Sequence, residues 1–166
     1  MTYSPKRGFA LLIAVIIMSL MLSFGLAIGS LSYKQQVLVS GAIASQYAFY
    51  AADGALECGL YVDQQLGSFA YPIADTLPIP DILCDGTAPV TKSKEWQTTQ
   101  WILRYRFPLD SNKRCADLVV YQGPVGATTT LFAQGYDTTC ATISTCEAQG
   151  LACKARIISR GLYFYL

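Results

Sequence analysis

The chain has 166 residues, with 12 Lys and Arg against 11 Asp and Glu and no His, so its formal net charge is +1. This balance creates no strong field for nucleic acid or an acidic surface, and the lack of His removes the commonest general base and metal ligand at neutral pH. About 100 residues follow the N-terminal helical region, enough for one small domain with its own core.

The N-terminus combines a short polar leader with a long uncharged apolar run. The leader is residues 1–8, and the apolar run covers 25 residues from Phe9 to Tyr33. A helix rises ~1.5 Å per residue, so this run exceeds the ~30 Å hydrocarbon core of a bilayer. The sequence therefore predicts a membrane helix over 9–33, with the basic leader on the cytoplasmic side.

The junction Lys6-Arg7-Gly8-Phe9 resembles the processing site of type IV pilins and the pseudopilins of type II secretion. In that family a prepilin peptidase cuts after the glycine, on the cytoplasmic side, and methylates the new N-terminal residue. The resemblance covers roughly the first 60 residues. It implies that the leader is removed, that Phe9 becomes an N-methylated terminus, and that the apolar helix stays on the mature chain.

One position departs from the family pattern. The family usually has Glu at the fifth mature position, and here that position is Ile13. Members without this Glu include minor pseudopilins that sit at filament tips. The resemblance therefore implies a minor or tip subunit and not an enzyme. It would wait in the inner (cytoplasmic) membrane as a single-pass precursor and then enter an extracellular filament or reach the cell surface. Its implied partners are the prepilin peptidase, the membrane and other pilin-like subunits that contact its N-terminal helix.

Two other interpretations of the apolar segment stay open. A plain single-pass anchor, carrying an extracellular binding domain that does not polymerise, explains the hydrophobicity without processing. A cleaved signal peptide is the second, because the small residues at 27 and 29 would allow cleavage before Ser30. The mature N-terminus distinguishes the three interpretations: Phe9 for the pilin-like protein, Met1 for the anchor and Ser30 for a secreted protein.

The helix is expected to continue beyond the membrane segment, over 34–65. Apolar residues recur at steps of three, four or seven, the spacing of one helical stripe, at Val37, Ala44, Ala48, Ala51, Ala55 and Cys58. This half is therefore predicted to lie on a domain. Within the apolar half, Gly25 and Gly29 form a G-x-x-x-G pair. The pair suits either close packing of a second helix or a point of helix flexibility.

The remaining chain is predicted to form a loop and a sheet. Prolines at 72, 78, 80 and 89 exclude regular structure from much of 66–95, which we predict to be a connecting loop. Residues 96–166 are predicted to form four antiparallel strands near 101–108, 116–121, 128–136 and 155–166, with a loop over 140–153. The predicted fold class is α+β. The resemblance implies the type IV pilin-like fold, with the long N-terminal helix packed on a four-stranded antiparallel β-meander.

Six cysteines follow the apolar segment, at Cys58, Cys84, Cys115, Cys140, Cys146 and Cys153. An even number beyond a membrane segment predicts disulfides formed in an oxidising compartment. No pair has the C-x2-C or C-x4-C spacing of a zinc site and no His can complete one, so neither a metal nor another cofactor is predicted.

The disulfide pairing is a separate hypothesis. We favour Cys58–Cys84, which would fasten the Pro-rich loop to the end of the helix. In a meander the other four cysteines lie at one end of the sheet. We prefer Cys115–Cys140 with Cys146–Cys153, and the alternative, Cys140–Cys153 with Cys115–Cys146, stays open.

A cationic cluster is the last feature, formed by Arg104, Arg106, Lys113 and Arg114. Its arginines alternate with apolar residues, as on the outer face of any half-buried strand. Binding to nucleic acid would require more cations than this face offers, so nucleic acid is not an expected partner. No catalytic triad or phosphate loop occurs in the sequence.

Overall fold

The computed structural model describes residues 7–69, 78–124, 128–150 and 157–166. The elements in chain order are α1 (Arg7–Gln64), β1 (Thr91–Gln97), β2 (Gln100–Leu109), β3 (Arg114–Gln122), β4 (Thr130–Tyr136), α2 (Cys140–Gln149) and β5 (Ser159–Tyr165). The strands form one antiparallel sheet in the order β1-β2-β3-β4-β5. This arrangement confirms the predicted α+β class and antiparallel meander. The chain divides into two units, Met1–Gly41 and Ala42–Leu166.

The sheet has five strands, so the predicted number of four was wrong. The additional strand is β1, which begins inside the segment expected to be a loop and pairs along its whole length with β2. Trp96 of β1 lies against Trp101 of β2, with ring centroids 4.9 Å apart. A cross-strand aromatic pair of this kind stabilises the hairpin although the rest of β1 is polar.

Helix α2 lies within the segment 140–153, which was expected to be a loop. Thr139 caps its N-terminus, because the Thr139 hydroxyl accepts a hydrogen bond from the backbone N–H of Thr142 at 3.3 Å. Ile143 and Cys140 are buried on the side of α2 that packs against β3 and β2. Burial and capping therefore stabilise a helix whose Thr-rich sequence favours this conformation weakly.

The core of the second unit lies between the end of α1 and one face of the sheet. Three alanines of the predicted stripe are buried there, namely Ala48, Ala51 and Ala55. The other members are less covered: Ala44 and Cys58 are half-buried, and Val37 is 41% exposed. Small side chains let the helix backbone approach the sheet closely. The facing strands contribute larger buried side chains, including Leu103, Tyr105, Phe107, Leu118, Val120 and Leu131. This face is the inner face of the sheet, and α2 packs on the other, outer face.

Candidate functional site

The described part of the first unit belongs to α1, and its side chains from Phe9 to Ser40 are exposed. The large apolar residues between Phe9 and Val39 are 41–73% exposed. No charged residue occurs from Phe9 to Tyr33. The helix has the length and composition of a membrane anchor or a signal sequence. A contiguous apolar surface of this extent marks a site of contact with a membrane or another protein.

Three of the four residues of the predicted processing site are at the start of this helix. Lys6 is outside the described residues, Arg7 and Gly8 are the first residues of α1, and Phe9 is 68% exposed. The helix continues through Gly25 and Gly29, where an added Cβ would meet nothing within 4 Å. Both glycines therefore leave room for a neighbouring helix to approach.

Two of the predicted disulfides are present in the second unit. Cys58 at the end of α1 is bonded to Cys84, with Cα atoms 5.7 Å apart. Cys115 of β3 is bonded to Cys140 at the start of α2, with Cα atoms 4.8 Å apart. No cysteine among the described residues is a free thiol. The predicted Cys146–Cys153 bridge includes Cys153, which lies outside the described residues.

A charged network fastens α2 to the outer face of the sheet. The Arg106 guanidinium donates to both carboxylate oxygens of Asp117, at 2.7 and 2.8 Å, and to both of Glu147, at 2.7 Å each. It also donates to the Ser144 hydroxyl at 3.3 Å. The Tyr136 hydroxyl donates to Asp117 at 3.0 Å. Arg106 therefore joins two strands and a helix through paired hydrogen bonds, the strongest geometry for such a contact.

The same contacts change the acidity of the groups involved. Hydrogen bonds from Arg106 lower the pKa of Glu147 below its ordinary value. Hydrogen bonds to Asp117 and Glu147 raise the pKa of Arg106. Burial, together with the negative charge of Asp117, raises the pKa of Tyr136. The network therefore holds the Arg106 guanidinium between the side chains of Asp117 and Glu147, beside the Tyr136 phenol.

Two other arginines of the predicted cluster have partners of their own. Arg104 lies 3.5 Å from Glu95 on the exposed outer face. Arg114 lies over the ring of Tyr47 in α1, 4.2 Å from the centroid. Arg106 is paired with two carboxylates, so each of these three arginines contacts an acidic or aromatic side chain.

Described residues of the second unit form two open grooves of similar size. One has a volume of about 550 Å³ and is lined by residues of α1 and the β2–β3 turn, including Tyr47, Tyr50, Asp110 and Arg114. The other has a volume of about 490 Å³ and lies on the outer face, beside α2. Its lining includes Tyr121, Phe132 and Val119 together with Arg104, Gln134 and Glu147. Aromatic and polar groups of this kind are typical of sites that bind small ligands.

Neither groove has the donor set of a metal site. In the described part of the chain, no three His, Cys, Asp or Glu side chains converge.

The sequence did not predict either groove or the Arg106 network, because Glu147 is 41 positions from Arg106 along the chain. The alternation of arginines in β2 was the available signal, and it indicated the outer face without indicating the partners.

Together these features define an α+β protein with one apolar N-terminal helix and a disulfide-bonded antiparallel sheet. The chain matches no family model, no curated protein and no solved structure.

Proposed function

We propose that this protein is a structural subunit of an envelope filament related to type IV pili or type II secretion pseudopili, at a minor or tip position. The observation that carries the proposal is the 25-residue uncharged segment that begins at Phe9, directly after Lys6-Arg7-Gly8. The leader supplies a processing site, and the segment supplies a helix that a membrane or a bundle of similar helices can cover.

The exposed apolar helix requires an environment that excludes water. A helix satisfies its own backbone hydrogen bonds, so it is stable in hydrocarbon. Transfer into a bundle of other subunits' helices keeps the apolar surface buried in the filament. Ile13, unlike a Glu at that position, cannot neutralise the N-terminal amine of a neighbour. A tip or minor position depends least on that contact.

The second unit supports the same proposal. α1 continues from the apolar segment into a sheet domain and supplies part of its core. The two disulfides fasten a loop and α2 to this domain. Such bridges are typical of proteins outside the cytoplasm. A membrane-held helix that continues into a disulfide-bonded sheet is also the arrangement implied by the pilin resemblance.

The intact mass and N-terminal sequence of the chain from membranes test the processing step. We expect a chain that begins at Phe9 and carries one added methyl group. Gly8→Leu should leave the leader in place, whereas Ser4→Leu, in the same leader, should be processed normally. An unchanged mature mass for Gly8→Leu contradicts processing. A chain beginning at Met1 supports the plain anchor, and one beginning at Ser30 supports secretion.

Filament composition tests the minor position separately. Purified filaments should contain this chain at a small fraction of the main subunit. If this chain forms most of the filament mass, the minor position is wrong, although the filament proposal stands.

The second candidate is an anchored domain that binds a ligand and does not polymerise. The outer groove beside Tyr121 and Phe132 favours it, because aromatic rings there lie near the polar groups of Gln134 and Glu147. Localisation distinguishes the candidates. A filament subunit co-purifies with sheared surface filaments, whereas an anchored domain stays with the membrane fraction.

A further inference from the structure

The two edges of the sheet differ in charge. β1 forms one edge and carries Lys92, Lys94 and Glu95 in seven residues. β5 forms the other edge, with the sequence SRGLYFY and a single charge at Arg160. Charged side chains on an edge strand oppose pairing with another chain, and an aromatic edge without them favours it. We therefore expect β5, and not β1, to pair with a strand of another chain.

The backbone groups on the free side of β5 follow from its pairing with β4. Asp137 N–H donates to the carbonyl of Ile158, and Leu166 N–H donates to the carbonyl of Thr129. Even-numbered residues of β5 thus direct their backbone groups toward β4. Antiparallel ladders alternate, so odd-numbered residues direct theirs away from β4. The backbone N–H and C=O groups of 159, 161, 163 and 165 therefore face away from the sheet.

We propose that the β5 edge binds the β5 edge of a second copy of this chain, antiparallel and centred on Leu162. In this register 161 lies opposite 163 of the second copy, and 159 lies opposite 165. Every outward-facing residue of β5 then faces another outward-facing residue. The ladder uses all seven residues of the strand, and it joins two five-stranded sheets into one of ten strands.

The side chains of β5 are self-complementary in this register. Tyr163 of each copy crosses Gly161 of the other, and an aromatic ring over a glycine is a favourable cross-strand contact. Arg160 lies opposite Phe164 of the second copy, and its Nε donates to the Ser45 hydroxyl of its own α1 at 2.8 Å. Leu162 meets its own counterpart on the inner face, where it already packs against the core. No like charges are placed opposite each other.

The other edge does not offer the same match. Pairing β1 with itself about its centre would place Lys94 opposite Lys94, which is destabilising. Joining β1 of one copy to β5 of the next would place Lys94 opposite Leu162. Lys94 already lies over Trp101, 4.8 Å from the ring centroid. The β5–β5 pair is also closed by its two-fold symmetry, so it predicts a dimer and not an open chain.

The inference goes beyond the proposed function, because it depends on neither processing nor filament entry.

An aromatic ring on the outer face of β4 packs against β5. Phe132 lies against Tyr163, with ring centroids 4.5 Å apart. A Cβ at Gly161 would lie 2.9 Å from the Phe132 ring, so glycine is what permits this packing.

Sedimentation of the full chain in detergent micelles tests the dimer. Tyr163→Pro removes an outward N–H and no bond to β4, so β5 keeps its place in the sheet. Tyr163→Ala removes the same ring and keeps the N–H. We expect the proline variant to dimerise about tenfold more weakly than the alanine variant. Gly29→Leu, which alters the apolar helix, should leave this difference unchanged.

Cross-linking tests the register without substituting Tyr163, so its result does not depend on how the Tyr163 variants fold. Residues in a non-hydrogen-bonded antiparallel pair have Cα atoms about 4.5 Å apart, a separation that a disulfide can bridge. Leu162→Cys should therefore form a covalent dimer in mild oxidant, and Lys94→Cys at the centre of β1 should not. A monomeric full chain, species larger than dimers, equal dimerisation of the two Tyr163 variants, or equal cross-linking at 94 and 162 would each overturn the proposal.

Discussion

Gly135 of β4 lies directly against the backbone of α1 at Ala48. A Cβ added to Gly135 would lie 2.1 Å from the carbonyl oxygen of Ala48 and 2.3 Å from the nitrogen of Ala52. Neither atom belongs to a flexible side chain, so neither can move without moving the helix. The distance between α1 and the sheet in the second unit therefore depends on the absence of a side chain at position 135.

We expect Gly135→Ala to lower the free energy of unfolding by about 3 kcal/mol, the upper end of the usual cost of overpacking. Gly54→Ala is the matched control, because Gly54 lies on α1 with nothing within 4 Å of an added Cβ. It should raise stability by about 0.5–1 kcal/mol through helix propensity. Thermal unfolding of the chain in detergent measures both, and similar effects from the two variants would contradict the close contact.

Lowering the pH should weaken the attachment of α2 to the sheet. The pKa of Glu147 is lowered in the folded state by hydrogen bonds from Arg106. The contact between Glu147 and Arg106 therefore stabilises the folded chain fully above the ordinary Glu pKa. This stabilisation is lost as the pH falls through the lower pKa that Glu147 has in the folded state. Hydrogen exchange should show faster exchange of α2 amides at acidic pH than at neutral pH.

Two carboxamide variants test the source of this pH dependence. Glu147→Gln should reduce the acid effect on α2. Glu95→Gln should leave it unchanged, because Glu95 forms a 3.5 Å surface pair with Arg104 on β1 and β2. An acid response that is undiminished in Glu147→Gln would assign the effect to another group.

The turn between β1 and β2 contains a strained residue. Thr98 has φ of 55°, in the left-handed region, which a β-branched residue rarely adopts. Thr98→Gly should therefore raise the free energy of unfolding by about 0.5–1 kcal/mol. Thr99→Gly, where φ is not positive, should lower it by a similar amount. Chemical unfolding of both variants checks the opposite signs.

Gln122 is buried at the end of β3, and its side-chain oxygen has no hydrogen-bond partner among the described residues. The residue is 3% exposed and lies opposite Trp101 of β2. Gln122→Met keeps the length of the side chain and removes the unpaired acceptor, so we expect a gain of about 1 kcal/mol in unfolding free energy. A loss of stability in urea unfolding would show that the amide makes a necessary contact.

The sequence predicted elements whose signal is strong and local. The absence of proline and the apolar stripe from Val37 to Cys58 predicted the continuation of α1, and the alternation from Trp101 to Phe107 predicted β2. The topology of a meander also brought Cys115 and Cys140 to the same end of the sheet. These predictions needed only the helix and strand periods and short turns.

β1 and α2 were not predicted, because tertiary contacts stabilise them. β1 has one apolar residue, Trp96, and its turn lacks the usual Asn-Gly or Asp-Gly signal. α2 is rich in Thr, Ser and Cys, which favour helix weakly. Its position depends on Cys115, Ile143 and Arg106, and a local pattern contains no information about such contacts.

The two disulfides have a consequence for where this domain can mature. Cys58–Cys84 and Cys115–Cys140 each close a connection of about 25 residues, and both form only where an oxidant is available. A chain retained in a reducing compartment lacks both bridges, so its loop and α2 are held less firmly and are more open to proteases. Resistance to proteolysis therefore reports whether the two bridges have formed, and it distinguishes oxidised chains from reduced ones.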